Sequence, residues 1–383
     1  MRASLERALR ALSSLRLACV LLLFLGLLTW LGTLEQVTSG LYDVQKKYFE
    51  SFVLVHHAGP IPIPLPGANL VLSLLFVNLL VGGMLRLRKG VATLGVLVAH
   101  VGIAVLLVGA FVKHRFSDEG HVTLYEGQRS ATFQSYFLWE IAILEDLGSG
   151  RVREHLIPNG RLEEALGSGR VRIAPAGLPF DVEVSGFLRN CAPRREGAEA
   201  NAVDGVVLEE RPAHTEAEQN IAGVAIEIVD EKDGMRRKAL LWGAESRPLV
   251  VTVAGKPWAI TLRHEEYPMP FSVALDRFTK EDHPRIDMPK SFASDVTVTE
   301  NGSSRPVRIS MNAPLRSQGF VVYQASWGPS GAGPGTPLYS TLAVVRNPAD
   351  RLPLAGCIVI AIGLVAHFAR KLFRYVRVEG RTA

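Results

Sequence analysis

Hydrophobic positions in this chain are bunched into four long runs, at residues 17–34, 68–85, 91–112 and 352–369, with one long polar stretch between the third and the fourth. Each run can cross a bilayer as a helix, because about 20 residues at ~1.5 Å rise match a hydrocarbon core of ~30 Å. Arg2, Arg7, Arg10 and Arg16 precede the first run as in a signal peptide. The run is longer than an ordinary h-region, however, and no A-x-A-like site follows, so we read it as a first transmembrane helix. Residues 35–66 then form an outer loop. Within it YDVQKKYFESF predicts a short interfacial amphipathic helix, and prolines 60, 62, 64 and 66 predict an extended, polyproline-like entry to the second span. Arg86, Arg88 and Lys89 make a basic tip between the second and third spans.

From residue 113 to 351 the pattern changes to short alternating segments rich in β-branched and aromatic residues, separated by Gly, Pro, Asn or Asp. FDVEVSGFL (180–188), AGVAIEIVD (222–230), AITLRHEE (259–266), SDVTVTE (294–300), RPVRISM (305–311) and GFVVYQA (319–325) predict antiparallel strands of a sandwich or barrel-like domain. GPSGAGPGTP (328–337) reads as a flexible loop. The expected fold is an integral membrane protein with four transmembrane α-helices, three N-terminal and one C-terminal, and a large, mainly antiparallel β-domain inserted between helices three and four. Its domains are 1–112, 113–351 and 352–383. The three short basic segments, at the N-terminus, at 86–89 and at 370–381, all lie on one side in this arrangement. The positive-inside rule makes that side cytoplasmic, which puts both termini in the cytoplasm and the β-domain in the periplasm of a bacterial inner membrane.

Composition agrees with a mixed architecture, since 48% hydrophobic residues are too many for a typical soluble protein and 21% charged residues too many for one wholly in the membrane. The net charge of +5 gathers beside the apolar runs, which fits membrane orientation and not nucleic-acid binding. Cys19 and Cys357 sit in apolar runs and Cys191 stands alone. No disulfide framework, no CxxC redox motif and no CxxCH haem-attachment motif is therefore available.

His100, read as near the middle of the third run, is the first candidate site, because an ionisable side chain at membrane depth usually meets a partner, a cavity or a cofactor. In helical projection Gly95, Ala99, Gly102 and Gly109 form one narrow stripe and His100 falls roughly opposite. The stripe predicts close packing on the chain's own helices. His100 would then face outward, as a ligand toward a second protein or a flat cofactor, or else make an interhelical hydrogen bond. His367 lies on the side of Gly356 and Gly363 in the last span but close to its basic end, while His56, His57 and His114 could meet at the outer membrane surface. His121, His155, His214, His264 and His283 receive no role, and GxSxG, P-loop, HExxH and dinucleotide fingerprints are all missing. The chain is expected to be non-catalytic by itself.

The order of several segments resembles the ResB (CcsB) family of system II cytochrome c biogenesis. They are LGTLEQ (31–36), VQKKYFESF with IPIPLPG, VNLL (77–80), the RLRK tip, RFTKEDHPRIDMPKSFASDVTV (277–298) and MNAPLRSQGFVVYQASWGP (311–329). NPAD (347–350) stands where the family often has a DPG-like turn. The resemblance implies a ResC (CcsA) partner that supplies the tryptophan-rich haem-handling segment, since the five tryptophans here form no cluster. It also implies a transient, non-covalent haem b with His100 as an axial ligand, and apocytochrome c carrying CxxCH as the acceptor. A thioredoxin-like thiol reductase is a further implied partner, and the whole would be a subunit of a holocytochrome c synthase complex. The competing expectations are a membrane-anchored periplasmic apocytochrome chaperone that binds no haem and, from another class, an unrelated membrane transporter. QGFVVYQAS (318–326) is expected either to contribute to an apocytochrome-docking surface or to be an ordinary core strand.

Overall fold

The structure is a computed structural model that describes residues 2–195, 202–230, 234, 236–283, 289–329 and 336–379. It divides into two units, Met1–Ser117 with Asn347–Ala383, and Asp118–Arg346.

The first unit is helical. Four of its helices, Leu15–Ser39, Ala68–Leu85, Leu94–Phe116 and a last one from Leu352, are long and apolar enough to cross a membrane. Only 11–22% of the most apolar window of each is buried, so each leaves a broad band of leucine, valine, isoleucine and phenylalanine uncovered. A lipid environment is the physical counterpart of such a surface, since soluble monomers rarely expose apolar patches of that extent. The third helix starts at Leu94 and not at residue 91, because Val91–Thr93 form a turn in which the Thr93 hydroxyl bonds the carbonyls of Arg88 and Gly90. The fourth runs to Glu379, well past residue 369, because the basic tail contains no helix breaker before Gly380.

Two joints hold the first pair of spans. At one end a short helix, Arg2–Leu12, is broken from span one at Ser14, whose backbone is extended. The carbonyls of Leu12 and Ser14 at this break accept from the Asn78 side-chain amide at 2.6 and 3.0 Å, and Arg86 donates to the Ser13 hydroxyl at 3.0 Å. The Asn of VNLL therefore caps a helix break, and the basic N-terminal segment and the basic tip share one end. At the other end Gly40, with φ +79°, turns the chain into a short helical segment, Leu41–Phe49. Residues 53–66 are extended as the prolines require, but as a paired hairpin, Val53–Ala58 with Ile61–Pro66, and not as a lone polyproline segment. Leu28, Val44, Tyr48, Leu54, Ala68 and Val71 close a small core there.

Spans three and four pack through glycine. A Cβ on Gly363 would stand 2.5 Å from the Ala99 nitrogen and 2.7 Å from the Gly95 carbonyl oxygen, and one on Gly102 would stand 2.8 Å from the Gly356 carbonyl oxygen. The stripe read from the sequence is thus the contact face, and only glycine lets these backbones approach so closely.

The second unit is β-structure whose strands pair antiparallel among the described residues, with one isolated parallel bridge between Leu166 and Phe187. Two long strands, Arg129–Asp146 and Lys256–Asp282, pair through both of its cores. One core gathers Ile141, Ile143, Trp258 and Ile260 with Phe180, Val182, Val224 and Ile226, and the other gathers Phe133, Phe271, Val273 and Leu275 with Val296, Val298, Val322 and Val344. Between them the register breaks, so that His264 faces Trp139 while Glu266 already faces Gln134. Residues 135–138 therefore bulge out, and the Ser135 hydroxyl accepts the N–H groups of Phe137 and Leu138. Residues 330–335 of the predicted loop at 328–337 and residues 284–288 of the 277–298 stretch lie outside the described residues.

Candidate functional site

Span two ends in a π-helical turn, Leu79–Leu85. A helix end leaves its last carbonyls without intrahelical donors, and in an apolar surrounding each such carbonyl needs another partner. The Gly83 carbonyl finds one in His100, whose Nδ1 lies 2.9 Å away. A carbonyl only accepts, so Nδ1 is the donor in this bond and Nε2 is the nitrogen left out of it. His100 is half-buried, and its Nε2 has no partner among the described residues and is not sealed from the surface. The ring therefore makes the interhelical bond with one nitrogen and leaves the other out of it. His100 lies six residues after Leu94, about 9 Å along the helix, and five residues before the midpoint of Leu94–Phe116.

The other candidate histidines do not converge on it. The His367 backbone lies against Gly95 in the packing face of spans three and four, and its ring rests on Phe368 at 5.4 Å. At the opposite end of span one, Tyr48 is fully buried and donates to Glu35 Oε2 at 2.6 Å, Lys47 reaches Glu35 Oε1 at 2.7 Å, and His56 Nδ1 meets the Tyr48 hydroxyl at 2.6 Å. Burial, reinforced by the Glu35 carboxylate that accepts its proton, holds the phenol protonated well above its usual range. LGTLEQ and VQKKYFESF are thus two halves of one polar clamp. His57 is exposed, and His114 pairs weakly with Glu50 at 3.9 Å. Sequence reasoning missed the clamp because its members are spread over residues 35 to 56.

In the β-unit, PKSFASD and VYQAS meet in the interior. Ser294 donates to Gln324 Oε1 at 2.7 Å and lies 2.7 Å from the Ser340 hydroxyl, and Gln324 Nε2 donates to Ser340 at 2.9 Å, all three being buried. Strand Phe320–Gly328 is accordingly a core strand with a buried polar knot, which removes the simplest reason to read 318–326 as a docking surface. Beside it, Trp327 stacks on Phe278 at 6.2 Å and carries Lys280 at 4.4 Å over its ring. Cys191 is buried, and burial pushes its thiol up to about 11, so it is an inert thiol. His121 stacks on Tyr136 and His264 lies against Trp139 at 3.9 Å, each with a sealed, unpartnered Nδ1. No group of three or more metal-ligating side chains with metal-site geometry occurs among the described residues.

No match was found among curated proteins. Residues 244–336, which contain both PKSFASD and VYQAS, match the family model described as ResB-like family. That family points to cytochrome c biogenesis in general.

Proposed function

From the ResB-like segment of this chain, we propose that the protein is the membrane subunit of a haem-delivering cytochrome c assembly complex and that His100 supplies one axial ligand to the haem. The observation that carries the reading is the seat of His100: a membrane-helix imidazole bonded through Nδ1 to Gly83, with Nε2 the nitrogen left over for a ligand. A second-shell hydrogen bond of this kind fixes tautomer and ring orientation and raises ligand basicity, as it does at other metal-bound histidines. The residues present suit one axial position. In this reading the second ligand comes from a ResC (CcsA)-type partner; among the described residues of the helical unit no other histidine is seen in contact with His100. When bound, the haem supplies the iron that His100 ligates and the vinyl groups joined to apocytochrome thiols; this chain's own residues bind and orient it. The uncovered apolar flanks of the spans offer surface to a flat macrocycle, to the partner's helices and to lipid.

The same reading places the protein in a bacterial inner membrane. The basic N-terminal segment, the 86–89 tip and the helical basic tail are cytoplasmic under the positive-inside rule, and the β-unit is periplasmic, where it presents the CxxCH segment of apocytochrome c. A thioredoxin-like reductase keeping those cysteines reduced is a further partner of this scheme. The test is to co-express the chain with such a partner and assay both co-purified haem and cytochrome c maturation. Haem in the complex together with maturation is the expected result. Maturation support with no haem in the complex would contradict haem handling and favour an apocytochrome chaperone, and loss of neither on deleting the chain would point to an unrelated transporter.

A further inference from the structure

Gly82 and Gly83 stand side by side in the π-helical end of span two, and each is hemmed in by a different element. A Cβ on Gly82 would stand 2.8 Å from the Ser13 carbonyl oxygen, at the joint with span one. A Cβ on Gly83 would stand 2.9 Å from His100 Nδ1 and 3.2 Å from its Cε1, with Leu79 Cδ1, the end of a flexible side chain, also at 3.2 Å. Gly83 is not in the left-handed region, so the helix does not need glycine there for its backbone. What needs glycine is the imidazole. A side chain at 83 would push the ring off the carbonyl that orients it, while the helix itself could continue.

We infer that Gly83 is a positioning residue for His100: its carbonyl holds the ring as the Nδ1–H tautomer, and its missing side chain leaves the seat, so that Nε2 is the nitrogen presented for ligation. The π-helical turn fits this task, because such turns displace carbonyls from the regular ladder and occur often at functional sites. Tertiary contact between spans two and three is concentrated at this turn, so the bond that orients His100 is also a main link between the two helices. The inference rests on the haem-ligand reading for its purpose but not for its geometry, and the two can fail separately.

The experiment uses the full chain labelled with 15N-histidine in detergent, with Gly83→Ala and Gly83→Val, and with Gly26→Ala as a control because a Cβ there meets open space. His100 is assigned by loss of its signals in His100→Ala. The expected ring-nitrogen shifts show a protonated Nδ1 and a bare Nε2 in the native chain and in Gly26→Ala. Mixed tautomers should appear in Gly83→Val, with Gly83→Ala intermediate. A native Nε2–H tautomer, or an unchanged tautomer in Gly83→Val, overturns the inference, and the native measurement stands even if a variant fails to fold. In the complex with the haem-handling partner, Gly83→Val should weaken haem retention about 10-fold or more, the usual effect of losing a ligand's outer hydrogen bond. Retention unchanged by Gly83→Val but abolished by His100→Ala would overturn the positioning role alone. Retention unchanged by His100→Ala would overturn the ligand reading and leave the tautomer result intact.

Discussion

His100 in the helical unit and His264 in the β-unit are both half-buried histidines with one nitrogen left over, and they differ in where that nitrogen points. His100 gives Nδ1–H to Gly83 and keeps Nε2 open. His264 hydrogen-bonds the Leu138 backbone, lies against Trp139, and seals its Nδ1 in the interior beside His121. Burial, with His121 nearby, pushes His264 down to about 4, so this ring stays neutral at physiological pH. An imidazole serves as a ligand where one nitrogen is tied down and the other can be reached. Where both are enclosed it is a core residue with a polar cost.

The comparison can be broken first at the glycine seam that places span three. Gly363→Val puts side-chain atoms where Ala99 and Gly95 already stand, and we expect spans three and four to part, at a cost of about 3 kcal/mol or more. A lowered unfolding midpoint and loss of monodispersity in detergent, with Gly26→Ala unaffected, would be seen. An unchanged midpoint would mean that the seam is not tightly closed.

The next largest effect belongs to His264. Its folded pKa is depressed, so its contribution to stability is complete above the ordinary imidazole range, and it is lost as pH falls from there to about 4 because the unfolded chain takes up the proton first. The loss should reach about 2–3 kcal/mol, with His121 adding in the same direction. Tryptophan-fluorescence unfolding against pH reads it. His264→Leu should flatten that slope, and a slope identical to native would show that other groups set the acid limit.

Smaller again is the polar knot of the β-unit. Ser294→Ala leaves Gln324 and Ser340 each short of a buried partner and should cost about 1–2 kcal/mol, read as a lowered denaturant midpoint with an unchanged slope. Maturation activity at permissive temperature should survive, since the knot is structural. Abolished maturation in a folded variant would return this strand to the docking surface.

Much of the architecture could be read directly from the chain. The four apolar runs, the alternating segments such as 180–188 and 294–300, and the Gly95–Ala99–Gly102–Gly109 stripe each follow from a local period of 3.6 or 2 residues. The site was only half legible. His100 stood out as an ionisable residue in an apolar run, but its partner is a backbone carbonyl 17 residues earlier, and no side-chain pattern reveals a carbonyl. The Glu35–Tyr48–His56 clamp and the Ser294–Gln324–Ser340 knot were invisible for a related reason: they join polar residues far apart in sequence, and only packing brings them together.

Ligation of haem by His100 Nε2 is tested by the visible absorption spectrum of the chain purified with its haem-handling partner, native against His100→Ala. Haem bands are expected in the native complex and should be lost or shifted in the variant. Identical bands and haem content in both would contradict it.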